Sequence, residues 1–274
     1  MPSMPVPVED VPLVSVVIPT YNRRADIANC LECLAAQTYP KLEVIVVNDA
    51  GDAIDDLVSA YPFATLLNLQ ENTRAFGALM AGVKITNGEL LVFLADDDWL
   101  YPDHLTRAVS ALMTSGASIV HTNGVIRHQK RHADQSVETI GYNAGVFLDT
   151  TTPSDSLIAT PIVLISCVFR REVFDEIGPM SPILCADHEL QLRAAEKFVF
   201  AYVDQMTVEW RLRGESFFAN MDTPAAMKHI FEVLHPRPDR PLIEASRARA
   251  MVNVASRTPG SYMFPPTVLI GTIP

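Results

Sequence analysis

The sequence has too few cysteines for a disulfide scaffold: Cys30, Cys33, Cys167 and Cys185 are the full set in 274 residues. That sparseness suits a reducing compartment. Cys30-x-x-Cys33 has no second closely spaced pair, so a zinc site is not expected there. No apolar run approaches the ~18 uninterrupted residues of a spanning helix. The opening, MPSMPVPVEDVP, lacks the basic segment and apolar core of a secretory signal. The cytoplasm is therefore the expected location, with no transmembrane segment. Positive charge is scarce too. Lys and Arg total 21 against 32 Asp and Glu, a formal net charge of -11. This balance argues against nucleic acid as a partner and disfavours adhesion to anionic membranes. Glycine is absent where a phosphate-cradling loop would need it, because the residues closing the first apolar run read PTYNRRADI.

What is present is an alternation of short apolar runs with helical patterns. LVSVVIP (13–19), LEVIVVND (42–49), FATLLNL (63–69) and ELLVFLA (89–95) read as buried strands. Between them RADIANCLECLAAQ carries Ile27, Leu31 and Leu34 at helical spacing, and DAIDDLVSAY, RAFGALMAGVKI and PDHLTRAVSALMTSG also read as helices. Such alternation predicts an α/β fold with a doubly wound, mostly parallel sheet flanked by helices. Beyond residue 117 the pattern changes. SIVHTNGVI and VLISCVFRR read as strands, RHQKRHAD as a solvated loop that could also meet an anionic acceptor, ADHELQLRAAEKF as a helix and FAYVDQMTVEWRL as extended chain. The tail, 223–274, mixes helical patterns with proline and is expected to be a variable extension.

Ligands of doubly wound sheets bind beyond the carboxyl ends of the strands. That rule places Pro19, Thr20, Tyr21 and Asn22, Asp49, and the triplet Asp96, Asp97 and Asp98 on one rim. Three adjacent carboxylates repel one another and resist desolvation. They are either solvated at a strand end or gathered around a cation, and a hard divalent ion such as Mg²⁺ takes one or two carboxylates together with substrate phosphate oxygens. Asp49 could accept from a nucleobase N–H or cap a helix. Tyr21 could lie against a base or simply pack. Arg74 offers a fork of donors suited to a diphosphate. Asp187, at the start of a predicted helix, reads locally as an N-cap.

Three segments in order, VVIPTYNRRADIANCLECLAAQTYPKLEVIVVNDAGD, NGELLVFLADDDWLYPD and FRREVFDEIGPMSPILCADHELQLRAAEKF, resemble the signature of a family 2 glycosyltransferase of the GT-A fold. The resemblance covers roughly residues 13–215. It implies a GT-A-like domain over 1–222, with a donor-binding half at about 13–116 and an acceptor and catalytic half at about 117–222, followed by the extension 223–274. It also implies a metal-dependent, inverting transfer of a sugar from a nucleotide-diphosphate-sugar to an acceptor hydroxyl. In that scheme Pro19 to Asn22 contact the nucleoside, Asp49 holds the base, Asp96 binds ribose, and Asp97 and Asp98 hold Mg²⁺ or Mn²⁺ against the diphosphate. Arg74 contacts the donor, and Asp187 is the general base, a role that typically contributes ~10²–10⁴-fold. A UDP-sugar is the first guess for the donor.

The chain departs from the family pattern in several places. Aligned through GELLVFL, the first position of the acidic motif is Ala95 and the second Asp97, whereas a literal D-x-D would pair Asp96 with Asp98. Ala186 precedes Asp187 where Glu is frequent, Leu79 stands where Arg is frequent, and Arg211 and Arg213 stand near a frequent His. Two rivals follow. A noncatalytic sugar-nucleotide-binding module is consistent with Ala95 and Ala186, while a nucleotidyltransferase would need the missing glycine-rich loop.

Overall fold

β-Branched residues dominate the first strand, β1 (Val14–Thr20), and Val14, Val16, Val17 and Ile18 lose all contact with solvent. β2 (Leu42–Asn48) and β4 (Leu90–Phe93) flank it in parallel, and β3 (Ala64–Asn68) lies outside β2, also parallel. Continuous apolar runs are required here because helices cover both faces. With a side-chain period of two, Val16 and Ile18 enter one core and Val17 the other. The first core is closed by α1 (Arg24–Ala35) and α4 (His104–Ser115). The second is closed by α3 (Arg74–Val83), α5 (Arg171–Ile177) and α6 (Ala186–Ala195). A short α2 (Asp55–Val58) precedes β3. The computed structural model describes residues 11–134, 136–144, 162–181 and 186–213. The expected 223–274 extension lies outside the described residues.

The sheet is mixed. Beyond β4 it continues with β8 (Cys167–Arg170), antiparallel to β4 through Leu91 and Phe169 and antiparallel to β6 (Ile119–Arg131) through Val120 and Val168. β9 (Phe200–Arg213) runs parallel to β6, with register shifts around Asn123. β5 (Trp99–Leu100) and β7 (Val137–Ala144) add antiparallel edges to β9 and β6. The order is β3-β2-β1-β4-β8-β6-β9-β5, with β7 beside β6. Both halves of the chain therefore share one sheet. Phe93, Phe169 and Phe174 join β4, β8 and α5 with ring centroids 5.4 to 5.8 Å apart; such edge-on pairs contribute about 0.5–1.5 kcal/mol each beyond burial.

Two expectations for the second half change. The basic run Arg127–Arg131 is not a loop but the second half of β6, because its cations meet carboxylates brought from β9 and α1. VLISCVFRR opens with a 3₁₀ turn at Leu164–Ser166, leaving four residues for β8.

Gly82 sets how closely α3 lies on the sheet. A Cβ at this position would stand 2.4 Å from Val17 Cγ1 and 2.8 Å from Val47 Cγ2, closer than side-chain carbons pack. α4 ends at Gly116, whose φ of 69° is the left-handed conformation a side chain resists. At its other end His104 is fully buried, with Nδ1 2.8 Å from Thr207 Oγ1 on β9. Among the described residues no helix is long and apolar enough to cross a membrane.

Candidate active site

β1, β2 and β4 are parallel, so their carboxyl ends form one rim. At the end of β1, Thr20 donates its hydroxyl to Asp96 Oδ2 at 2.7 Å. Tyr21 follows with half its surface open. Asn22 adopts φ 54° and accepts the backbone N–H of Asp52 at 2.8 Å, which ties the β1 turn to the β2 turn. Pro19, last but one in β1, pairs in register with Val47.

At the end of β2, Asp49 is buried. Its Oδ1 accepts the N–H of Thr73 at 2.7 Å and the Thr73 hydroxyl at 2.9 Å, while its carbonyl accepts from the Asn72 amide at 3.1 Å. These bonds fold the turn that leads into α3, where Arg74 takes φ 62° and presents an exposed side chain. Asp49 thus positions the first residues of α3, and Arg74 begins at the same rim.

The acidic triplet divides by orientation. Asp96 and Asp98 are buried, whereas Asp97 is partly exposed. Arg23 Nη1 donates to Asp96 Oδ1 at 3.1 Å and to Asp97 Oδ2 at 3.2 Å. Asp98 Oδ1 accepts the backbone N–H of Arg211 at 2.8 Å and so anchors β9 to the β4 rim. Burial, then the charge of Asp97, raises Asp96 to a pKa of about 6 against the opposing pull of Arg23 and Thr20. Asp97 is raised by burial despite Arg23 and Arg213. Burial, followed by Asp97, holds Asp98 well above the usual carboxylate range. The triplet is costly to ionise in the free protein and suited to an arriving positive charge.

Around the triplet the cations are paired. Asp26, in the first turn of α1, takes Arg213 through both oxygens at 2.9 Å and Arg131 at 2.9 Å. Arg213 Nη1 lies 4.0 Å from Asp97 Oδ2. Glu209, buried in β9, takes Arg127 and Arg211, and the Arg211 guanidinium lies 4.9 Å above the Trp99 ring. Trp99 therefore packs next to the acidic loop, as a platform for Arg211.

Asp187 occupies the first turn of α6, partly covered. Burial raises its carboxyl pKa, opposed by the N–H of His188. Its charge reaches Cys167: burial, and further down the same direction Asp187, push that thiol up, against a contact with Ser166. Cys167 opens β8, and because β8 is antiparallel to β4 this end lies at the carboxyl rim of β4. The Cys167 end of β8 thus lies at the edge of the sheet that carries the acidic triplet.

Arg23, Asp26 and Glu209 were not singled out from the sequence. An arginine directly after the strand-end residues PTYN is the one available signal for Arg23. The two buried carboxylates carry no local signal, because their partners come from distant strands. Oxygen donors are what a hard divalent cation requires, and Arg23 Nη1 already marks a point of positive charge shared by two of them. Among the described residues no group of three or more His, Cys, Asp or Glu side chains is placed to hold a metal unaided. The residues fit a cation that completes its shell with substrate oxygens.

A family model described as Glycosyl transferase family 2 matches residues 15–178. The chain is 28% identical over 190 residues to the uncharacterized glycosyltransferase YwdF of Bacillus subtilis, covering 68% of this chain and 69% of that protein. It is 33% identical over 175 residues to the glycosyltransferase AglE of Haloferax volcanii, covering 61% of this chain and 56% of AglE. Among solved structures, S. aureus TarS 1-349 in complex with UDP-GlcNAc matches with a TM-score of 0.64 at 18% identity, over 89% of this chain and 71% of that one. The mannosyltransferase PcManGT from Pyrobaculum calidifontis, in complex with GDP-Man and Mn²⁺, matches at 0.59 and 19% identity, over 91% and 74%. At such identities the structural likeness establishes a shared GT-A-like fold.

Proposed function

The chain belongs to glycosyl transferase family 2, and from that premise we propose a metal-dependent, inverting transfer of a sugar from a nucleoside diphosphate to an acceptor hydroxyl. It is a glycosyltransferase by family; the donor, the metal and the stereochemistry are our reading. The observation that carries it is the convergence of Thr20, Asp49, Asp96 and Asp97 from three parallel strand ends on one rim, with Arg23 between two of the carboxylates.

In this reading residues 13–116 bind the donor, 117–222 supply acceptor contacts and the base, and 223–274 are an extension. Asp49 accepts from the base, Pro19 to Asn22 line the nucleoside, and Asp96 accepts from ribose. Arg74 approaches the diphosphate from the start of α3. Asp97 would hold Mg²⁺ or Mn²⁺, and Asp98, already bonded to Arg211, would back it. Bound there, a divalent cation stabilises negative charge on the departing diphosphate. Asp187 takes the proton of the acceptor hydroxyl as that oxygen attacks the anomeric carbon from the face opposite the leaving group, which inverts the centre. Desolvation makes Asp187 a stronger base than an exposed carboxylate. UDP is the first nucleotide to test. UDP-GlcNAc is bound by TarS, whereas PcManGT carries GDP-Man, so the fold itself accommodates either base.

The test is calorimetric titration of a nucleotide-sugar panel with Mn²⁺, with Mg²⁺ and with chelator. Saturable, metal-dependent binding of one donor that disappears in Asp97→Ala, with the circular dichroism spectrum unchanged, is the expected result. Absence of binding to every donor by the folded protein would overturn the reading.

A further inference from the structure

One nitrogen, Arg23 Nη1, is within hydrogen-bonding distance of two adjacent carboxylates, 3.1 Å from Asp96 Oδ1 and 3.2 Å from Asp97 Oδ2. A cation held by Asp97 would draw on the oxygen that Arg23 occupies, so guanidinium and metal compete for it. A second arginine is close by: Arg213 Nη1 is 4.0 Å from Asp97 Oδ2. The two differ in freedom. Arg213 is only 6% exposed and is fixed to both oxygens of Asp26, whereas Arg23 is 42% exposed and its side-chain hydrogen bonds run to Asp96 and Asp97. Arg23 is the N-cap of α1: its carbonyl accepts the first helical hydrogen bond, from Ile27 N–H at 3.0 Å, but its backbone (φ -127°, ψ 51°) is not helical and its side chain makes no capping bond. Of the two, Arg23 is the one able to leave.

We infer that Arg23 is a displaceable stand-in for the divalent cation, which keeps the free site's affinity for metal low and makes metal and nucleoside diphosphate bind in concert. This inference rests on the assignment of Asp97 as the metal ligand. In the free protein the guanidinium offsets one of the pair's two negative charges. When a diphosphate arrives, its oxygens offer Arg23 a bidentate partner, and the two carboxylates are released, Asp97 to the metal and Asp96 to the ribose. Removing a unit positive charge from within a few ångströms of a bound cation strengthens that cation's binding. Each ligand thereby raises the affinity of the other by the same factor, as linkage requires.

The experiment is Mn²⁺ binding, followed by electron paramagnetic resonance of the free ion and by calorimetry at pH 8. It is run without any sugar donor, and then with UDP, GDP or dTDP. Wild-type protein is expected to bind Mn²⁺ alone weakly and at least tenfold more tightly with a saturating nucleoside diphosphate. Arg23→Gln should bind Mn²⁺ alone at least tenfold more tightly than wild type and lose most of the nucleotide-induced gain. Arg23→Lys, which keeps the charge, should stay near wild type, a distinction that a purely structural role would not produce. Asp97→Ala should abolish the Mn²⁺ affinity in both backgrounds. If Arg23→Gln binds Mn²⁺ alone no better than wild type, while wild type still binds with nucleotide, the stand-in role is wrong and the metal assignment survives. If no variant binds Mn²⁺ even with nucleotide, or if Asp97→Ala leaves binding unchanged, the metal assignment itself falls and the inference with it.

Discussion

Asp26 and Arg213 lie 187 positions apart and meet through two hydrogen bonds of 2.9 Å, both side chains almost wholly buried. The contact joins the start of α1 to the last residue of β9, and Arg131 at the end of β6 shares the same carboxylate. Breaking a buried pair from one side leaves its partner charged and unsolvated. Asp26→Ala should therefore cost about 3–5 kcal/mol in unfolding free energy, read from urea denaturation. A loss below about 1 kcal/mol would show that the pair is merely tolerated.

Asp187→Asn keeps shape and hydrogen-bonding capacity but cannot accept the acceptor's proton. Turnover should fall by about 10²–10⁴-fold while the donor Kd, from calorimetry, stays within about threefold. Donor affinity lost with turnover preserved would remove Asp187 from the role of base.

Asp96 bears on stability in an unusual direction. Its folded pKa is raised to about 6, chiefly by burial and then by Asp97, above the ordinary 3.8. The folded state thus binds the proton more tightly than the unfolded state. The stabilisation is complete below the ordinary value and is lost as pH rises through about 6. Asp96→Asn has no charge to bury. It should melt higher than wild type at pH 7.5, with the advantage shrinking toward pH 4, even as donor affinity falls. Equal melting temperatures at pH 7.5 would contradict the burial argument.

His104 works the opposite way. Burial lowers its pKa from 6.5 to about 4, so the unfolded chain takes up the proton first. Stability is full above the ordinary value and declines as pH falls from there toward about 4. Between pH 7 and pH 5 wild type should lose about 2 kcal/mol more than His104→Gln, measured by denaturant titration at each pH. Parallel pH profiles for the two proteins would place the acid sensitivity elsewhere.

The parallel half of the sheet was legible in the sequence because strands covered on both faces must be apolar throughout, as β1, β2 and β4 are. The second half was less so. β6 ends in Arg127–Arg131, which reads as a solvated loop until Glu209 and Asp26, 82 and 105 positions away, are brought beside it. Pairing at that range leaves no local trace. Arg23 and Arg24 show the same limit on a smaller scale. They are identical neighbours in sequence, yet Arg24 turns to Asp56 while Arg23 turns to Asp96 and Asp97. Successive residues at a helix start point about 100° apart, so only one of them can face the rim. The rim itself was predictable, since strand direction alone fixes which ends of β1, β2 and β4 coincide. How its carboxylates are shared out was not.

Gly82 makes α3 a beam seated directly on β1 and β2, with no methyl group as a spacer. The opposite end of that beam, about 13 Å away at the usual rise per residue, is clasped by Asp49 through Thr73. A shim inserted under residue 82 would tilt the whole rod and open the clasp. In the proposed reading, where Asp49 accepts from the nucleobase, that contact is gauged from below by an atom that is missing near the far end of the helix, and a substitution remote from the ligand would detune its fit.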